Sequence, residues 1–249
     1  MAGNDAADVI ADLEAEQDAI EAMIASLSAD GLQQPSAAAG WSISDVLLHL
    51  AQSEESVVAA ITGNPLRPVF PVEGTTTDEI IENWVRAERG DPIETRDRWR
   101  ESRRLSVDAL RGADPDTRYP WIAATLRPGA LATTRLAEHW AHALDIAEPL
   151  GIDYPDTHRL RHIAWLAHRT LPYGFGLAGE EPQDVYVELT SPGGETWTFG
   201  DPAASSRISG TSGDFCRVGA QRMKRDDSGL VASGPHAEAA LRVLRNYAG

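Results

Sequence analysis

Apolar residues recur at helical spacing along most of the chain and give way to short β-rich runs near its C-terminal end. In "AADVIADLEAEQDAIEAMIASLS", Val9, Leu13, Ile20, Met23 and Leu27 share one face of a helix that contains no Gly or Pro. "GWSISDVLLHLAQSEESVVAAITGNP" opens with a capping-box pattern, Ser42 followed three residues later by Asp45, and runs helical through Ile61 to a stop at Gly63 and Pro65. Residues 66–76 read as a loop. From Thr77 the helical pattern resumes to about Leu110, broken at "RGDPIE" by Gly90 and Pro92. A long connection over 112–129, of a kind that often carries function, precedes a helix ending at Gly151. "DTHRLRHIAWLAHRTLPY" predicts another helix, with Asp156 or Thr157 as its cap. Beyond it, "VYVEL" and "ETWTF" flank "TSPGG" as a hairpin, "SRISG" reads as a third strand, and "GPHAEAALRVLRNYAG" as a terminal helix. The pattern predicts a mainly α protein: a helical bundle over 1–180 and a small α+β domain over 181–249.

A chain of 249 residues is long enough to bury a sizeable core. Its 22 basic and 38 acidic residues give a formal charge of -16, which argues against nucleic acid as a partner because the phosphates would be repelled. No apolar run reaches the length of a membrane span, and the acidic start "MAGNDAADVIADLEAEQ" does not resemble a signal peptide. A cytoplasmic protein is expected, with no membrane contact, as a monomer or a homodimer. The single cysteine, Cys216, excludes an intramolecular disulfide and a Cys-rich zinc site, and reads as a small buried hydrophobe.

The chemistry concentrates in "RLAEHWAHALDIAEPLG". Glu138 and His142 are four apart and stand one above the other on a helix, whereas His139 points elsewhere. A carboxylate and an imidazole so placed form half of a metal site, since zinc and its neighbours take nitrogen and oxygen donors, usually three or four. His49, in the apolar setting of "DVLLHLA", is the candidate third ligand, although a lone histidine in such a place is more often a hydrogen-bonded core residue. Bundles do build metal sites from inward-facing side chains on separate helices, and three protein ligands leave a position open for catalysis. The rival pair His158 and His162 has the same spacing, but Arg159, Arg161 and Arg169 surround it and disfavour a cation, so it reads as a surface face.

"GWSISDVLLHLAQSEE" followed by "TTRLAEHWAHALDIAEPLG" resembles the mycothiol-dependent maleylpyruvate isomerase family, within the DinB-like group of metal-binding four-helix bundles. The tail "ISGTSGDFCRVGAQRMKRDDSGLVASGPHAEAALRVLRNYAG" and the stretch from "YPWIAATLRPG" are similar to an actinobacterial branch with a sterol-carrier-like C-terminal domain. The resemblance implies a DinB-like bundle over 1–180, a sterol-carrier-like domain over 181–249, and a divalent metal, usually zinc, on His49, Glu138 and His142. It further implies mycothiol as cosubstrate, with a small electrophilic metabolite as substrate. A metal can lower the pKa of a coordinated thiol as it does that of water. The implied activity is therefore addition, transfer or exchange of a low-molecular-weight thiol, or thiol-assisted isomerisation, with His49, Glu138 and His142 as the catalytic set. Where the family pattern leads one to expect "ETWAHGQD" the chain has "EHWAHALD", so His139 and Leu144 are departures that bear on the substrate.

Trp121 in the long connection and Arg135, one turn before Glu138, are candidates to line the open side of the metal and hold a carboxylate or sugar hydroxyls. His139, next to a ligand and off its face, is a candidate substrate contact, a group supporting the metal ligands, or a neutral change, and Arg222 is a candidate that reaches in from the C-terminal domain. Packing for Trp121 and ion pairing for the arginines are the plain alternatives. Two other functions fit the sequence. One is a thiol-independent metalloenzyme performing cyclisation, elimination or hydrolysis, which the leucine at position 144 favours. The other is a non-catalytic carrier with a structural metal.

Overall fold

The computed structural model describes residues 6–64, 74–122 and 124–246, so most of the loop expected over 66–76 lies outside the described residues. The chain divides into two compact units, with the division between Tyr154 and Pro155.

The first unit is a four-helix bundle of α1 (Ala6–Ile24), α3 (Ile43–Thr62), α5 (Pro92–Gly112) and α6 (Pro128–Leu150). Helix α3 packs along α5 and α1 along α6, and the pairs close on each other through α3 with α6 and α1 with α5. The expected first helix ends at Ile24, and Ser28 caps a separate short turn, α2 (Ala29–Leu32), by accepting the Gly31 amide. Helix α3 starts as the sequence predicts: Ser42 accepts the Asp45 amide while Asp45 accepts the Ser42 amide. It stops at Gly63, whose φ of 71° suits a residue without a Cβ. Helix α4 (Thr77–Ala87) leads to Asp91 and Pro92, which cap and open α5. The long connection folds into a small antiparallel ribbon, β1 (Tyr119–Pro120) with β2 (Thr125–Leu126).

Interior packing sets the bundle's register. Ile20, Ile24, Leu47, Leu50, Trp99, Ala143 and Ile146 form one fully buried cluster contributed by all four long helices. At about 1.5–3 kcal/mol for each large apolar side chain removed from water, this cluster outweighs the cost of any single polar intrusion. The bundle can therefore hold histidines and carboxylates in its interior.

The second unit contains α7 (Leu160–Arg169), α8 (Leu171–Leu177), a four-stranded sheet, α9 (Ser212–Gly219) and α10 (Ala237–Val243). The strands are β3 (Val185–Thr190), β4 (Thr196–Phe199), β5 (Ser206–Thr211) and β6 (Val231–Ser233), in the order β4-β3-β5-β6. β3 and β4 form the expected hairpin, β5 joins parallel to β3, and β6, which the sequence pattern did not indicate, pairs antiparallel with β5. The expected boundary near residue 180 falls inside this unit. Leu160, Ile163, Ala164 and Ala167 are buried, and α7 packs on α9 and β4 while α8 packs on α10. Helical periodicity is a local property and does not say which core a stripe joins.

The helix expected over 156–173 begins later and breaks at Thr170, and in the turn that leads into it Thr157, one of the two expected caps, accepts the Arg159 amide through Oγ1 at 3.4 Å. His158 precedes it and is exposed, but His162 is buried, so the two do not form the surface face the spacing suggested. Cys216 is buried as expected, and burial pushes its thiol pKa well above the ordinary value. Among the described residues no helix is long and apolar enough to cross a membrane.

Candidate metal centre

His49 comes from α3 and the Glu138–His142 pair from α6, two helices that pack against each other in the bundle. From Ile43 to Gln52 every residue of α3 is buried, so a histidine in that stretch is carried inside by its neighbours whatever its own preference. His49 and His142 are 6% and 8% exposed, and Glu138 is half-buried. One donor atom from each of the three lies within 4.8 Å of the others. The carboxylate is the hub: Glu138 Oε2 is 3.3 Å from His49 Nε2 and 3.7 Å from His142 Nε2.

This donor set fits a divalent ion. Bonds of about 2.0–2.2 Å in a tetrahedral shell place neighbouring donors roughly 3.4 Å apart, and the two Glu138 separations straddle that value. His142 turns its other ring nitrogen, Nδ1, to the Asp145 carboxylate at 2.9 Å. An imidazole whose Nδ1–H donates to a carboxylate presents a lone pair at Nε2, the support that metal-bound histidines generally have. Asp145 is itself 1% exposed. It sits one turn after His142, a spacing visible in the sequence. Trp41 covers the histidines, with its ring 5.3 Å from His49 and stacked 6.1 Å from His142. Its indole N–H donates to Glu82, which fixes the ring in place.

The charges are arranged around the same point. Burial would raise the Glu138 pKa, but the hydrogen bond from His49 and the positive charge of Arg135 outweigh it, so the carboxyl is held below its usual range and ionised. Burial lowers the pKa of His49, against the raising effect of Glu138, which favours the neutral, ligating imidazole. Arg135 would repel a cation but is itself paired. Its Nε donates to Glu54 Oε1 at 3.2 Å, with the two side chains 4% and 0% exposed. Burial raises the Glu54 pKa and Arg135 opposes that. Nothing in "QSEESVV" marks Glu54 as different from its acidic neighbours.

Trp121 stands over the Arg135 guanidinium, 5.5 Å from carbon to ring centroid, so the two residues proposed to line the site do meet. His139 does not join them. It is wholly buried, its Nδ1–H donates to the Arg135 carbonyl at 2.9 Å, and its Nε2 accepts the Trp99 indole N–H at 3.5 Å. A side chain so enclosed has no surface for a substrate, and the substrate contact expected of it does not fit its surroundings. Burial, with the Arg135 charge second, pushes its pKa down to about 3. Arg222 belongs to the second unit, where its Nη1 donates to the Ala220 carbonyl at 2.8 Å.

A sequence profile described as the mycothiol maleylpyruvate isomerase N-terminal domain matches residues 13–147, a span that includes His49, Glu138 and His142. A protein of Mycobacterium tuberculosis described as uncharacterised, from two strains, is 33% identical over 254 residues, covering 96% of this chain and 95% of the relative. Crystal structures of a mycothiol-dependent maleylpyruvate isomerase and of its histidine-to-alanine mutant align with a TM-score of 0.61 over 93% of this chain and 96% of theirs. At 15% and 16% identity that likeness is one of fold.

Proposed function

The chain belongs to the mycothiol maleylpyruvate isomerase family, and from that premise we propose that it is a metal-dependent enzyme that uses a low-molecular-weight thiol of the mycothiol type on a small electrophilic metabolite. The reaction is addition, transfer or exchange of the thiol, or isomerisation assisted by it. The observation that carries the reading is the His49, Glu138 and His142 donor set, with Asp145 holding His142 in the ligating tautomer. A divalent metal, zinc first among the candidates, would supply a Lewis acid that lowers the pKa of a thiol.

The chain's own groups account for the rest. His49 and His142 offer ring nitrogens, and Glu138 supplies the single negative donor. Three protein donors leave room for an exchangeable ligand, which a closed structural site does not. Trp41 shields the histidines from water on one side. Arg135, held by Glu54 and capped by Trp121, keeps one guanidinium nitrogen, Nη2, without a hydrogen-bond partner among the described residues. That nitrogen is the group proposed to receive a carboxylate of the substrate once the Trp121 ribbon shifts.

A thiol-independent metalloenzyme is the second reading, favoured by Leu144 where the family pattern leads one to expect glutamine. Elemental analysis of the protein and of His49→Ala, with calorimetric titration of mycothiol into each, separates the two. One divalent metal per chain, lost in the variant together with mycothiol binding, is expected. Metal without mycothiol binding would favour the second reading, and no stoichiometric metal even after reloading would overturn both.

A further inference from the structure

Trp41 faces both histidines of the metal centre, 5.3 Å from the His49 ring and stacked at 6.1 Å on that of His142. Its backbone is set by its own loop. The N–H donates to the Ala38 carbonyl at 3.0 Å, and the carbonyl accepts the Ser36 amide and the Ser36 hydroxyl, each at 2.9 Å. Those bonds fix the Cα but leave the side-chain torsions to other contacts. The ring is partly buried against the apolar cluster of the bundle, and its polar edge is directed by Glu82, which accepts the indole N–H.

Glu82 belongs to α4, a helix with little apolar hold on the rest of the bundle. Among the α4 residues only Val85 is buried. The end of the helix is tied down by polar groups instead. Glu88 accepts the Trp84 indole N–H at 2.8 Å, Gln52 Nε2 at 3.2 Å and Arg98 Nη1 at 2.9 Å, and the next residue, Arg89, donates to Asp45 at 2.8 Å. Upstream of that anchor, Glu82 presents Oε2 to Trp41 and Oε1 to Arg86 Nη2, the latter at 2.7 Å. The indole bond is the largest influence on the Glu82 carboxyl, which is held below its ordinary pKa range, so the link to Trp41 is a charge-assisted one. Elements that bury few apolar groups are the first to open locally.

From this arrangement we propose that Glu82 is a positioning residue for Trp41, and that the two form a gate over the histidines of the metal centre. With the bond made, the ring lies against His49 and His142. When α4 moves off, the ring is released and the histidine nitrogens open to solvent, to a metal ion and to small ligands. Entry and exit use the same opening, so the gate sets how fast an occupant comes and goes and leaves its affinity alone. As a control on metal traffic the inference rests on the metal reading above; the exposure of the two histidines is independent of it.

The test reads the histidines directly. In metal-free protein, carbethoxylation by diethyl pyrocarbonate, located by fragmentation in a mass spectrometer, measures how often His49 and His142 are reached, with the exposed His158 as reference. Glu82→Ala removes the acceptor, and Trp41→Phe keeps a ring but loses the donor. Each should speed modification of His49 and His142 about tenfold, the equivalent of one hydrogen bond, and leave His158 unchanged. Glu82→Gln retains an acceptor and should react nearly as the unmodified protein does. In zinc-loaded protein, Glu82→Ala should speed the uptake of zinc and its capture by a chelating dye by the same factor, with the equilibrium affinity unchanged. Unchanged modification in Glu82→Ala would overturn the proposal. So would faster modification of the wholly buried His139 along with the other two, the mark of a loosened bundle, or weaker zinc affinity with unchanged uptake, the mark of a ring that only braces the donors. A protein that takes up no zinc defeats the metal reading alone, and the histidine rates still decide the gate.

Discussion

Acidification should destabilise the bundle through His139, and replacing that residue should remove the effect. In the folded protein both ring nitrogens are engaged in the neutral form, Nδ1–H with the Arg135 carbonyl and Nε2 with the Trp99 indole N–H. A proton added at Nε2 would face another donor in a site with no exposure, beside the Arg135 guanidinium. The folded pKa of about 3 lies below the ordinary value of 6.5. Between those values the unfolded chain binds more protons than the folded one, so stability rises with pH across that window and falls as pH drops through it. Above pH 7 the effect is absent. With each pKa unit equivalent to 1.36 kcal/mol, lowering the pH from 7 to 5 should cost about 2 kcal/mol through this residue. His139→Gln can keep one of the two hydrogen bonds and cannot titrate. Urea unfolding followed by tryptophan fluorescence, at pH 7 and pH 5 with a chelator present throughout, gives the four stabilities needed. The groups common to both proteins cancel in the double difference. Equal losses on acidification in the two proteins would refute the reasoning, whatever the variant's stability at pH 7.

Asp145→Asn should leave the fold intact and weaken metal binding about 10–100-fold, measured by competition with a chelating dye, because the His142 tautomer is no longer enforced by a carboxylate. Glu54→Ala should cost about 3–5 kcal/mol in urea unfolding, since it strands the Arg135 charge in the interior; Glu54→Leu combined with Arg135→Met should cost less than either single change. Ser42→Ala removes the oxygen that accepts the Asp45 amide and should lower stability by about 1 kcal/mol in the same assay.

What the chain determines by itself is what neighbouring residues decide. The capping box at Ser42 and Asp45 and the glycines at 63 and 151, with φ of 71° and 65°, mark helix ends because caps and left-handed turns depend on a few adjacent residues. The shared face of Glu138 and His142 follows from the helical repeat alone, as does the reach of His142 to Asp145. The apolar setting of His49 made it a candidate third ligand, and the resemblance to a known family added its motif to that reading.

Tertiary structure decided the remainder. That His49 Nε2 lies 3.3 Å from Glu138 depends on how α3 packs on α6, a result of the whole apolar cluster. Glu54 is indistinguishable in sequence from a solvated glutamate and becomes the buried partner of Arg135 only when two helices meet. His139, next to a metal donor in sequence, faces Trp99 because adjacent residues on a helix point about 100° apart. Residues 155–180 carry a helical stripe that fits any apolar core, and packing assigned it to the second unit. Periodicity fixes the face a residue occupies, and only the packed core fixes what that face meets.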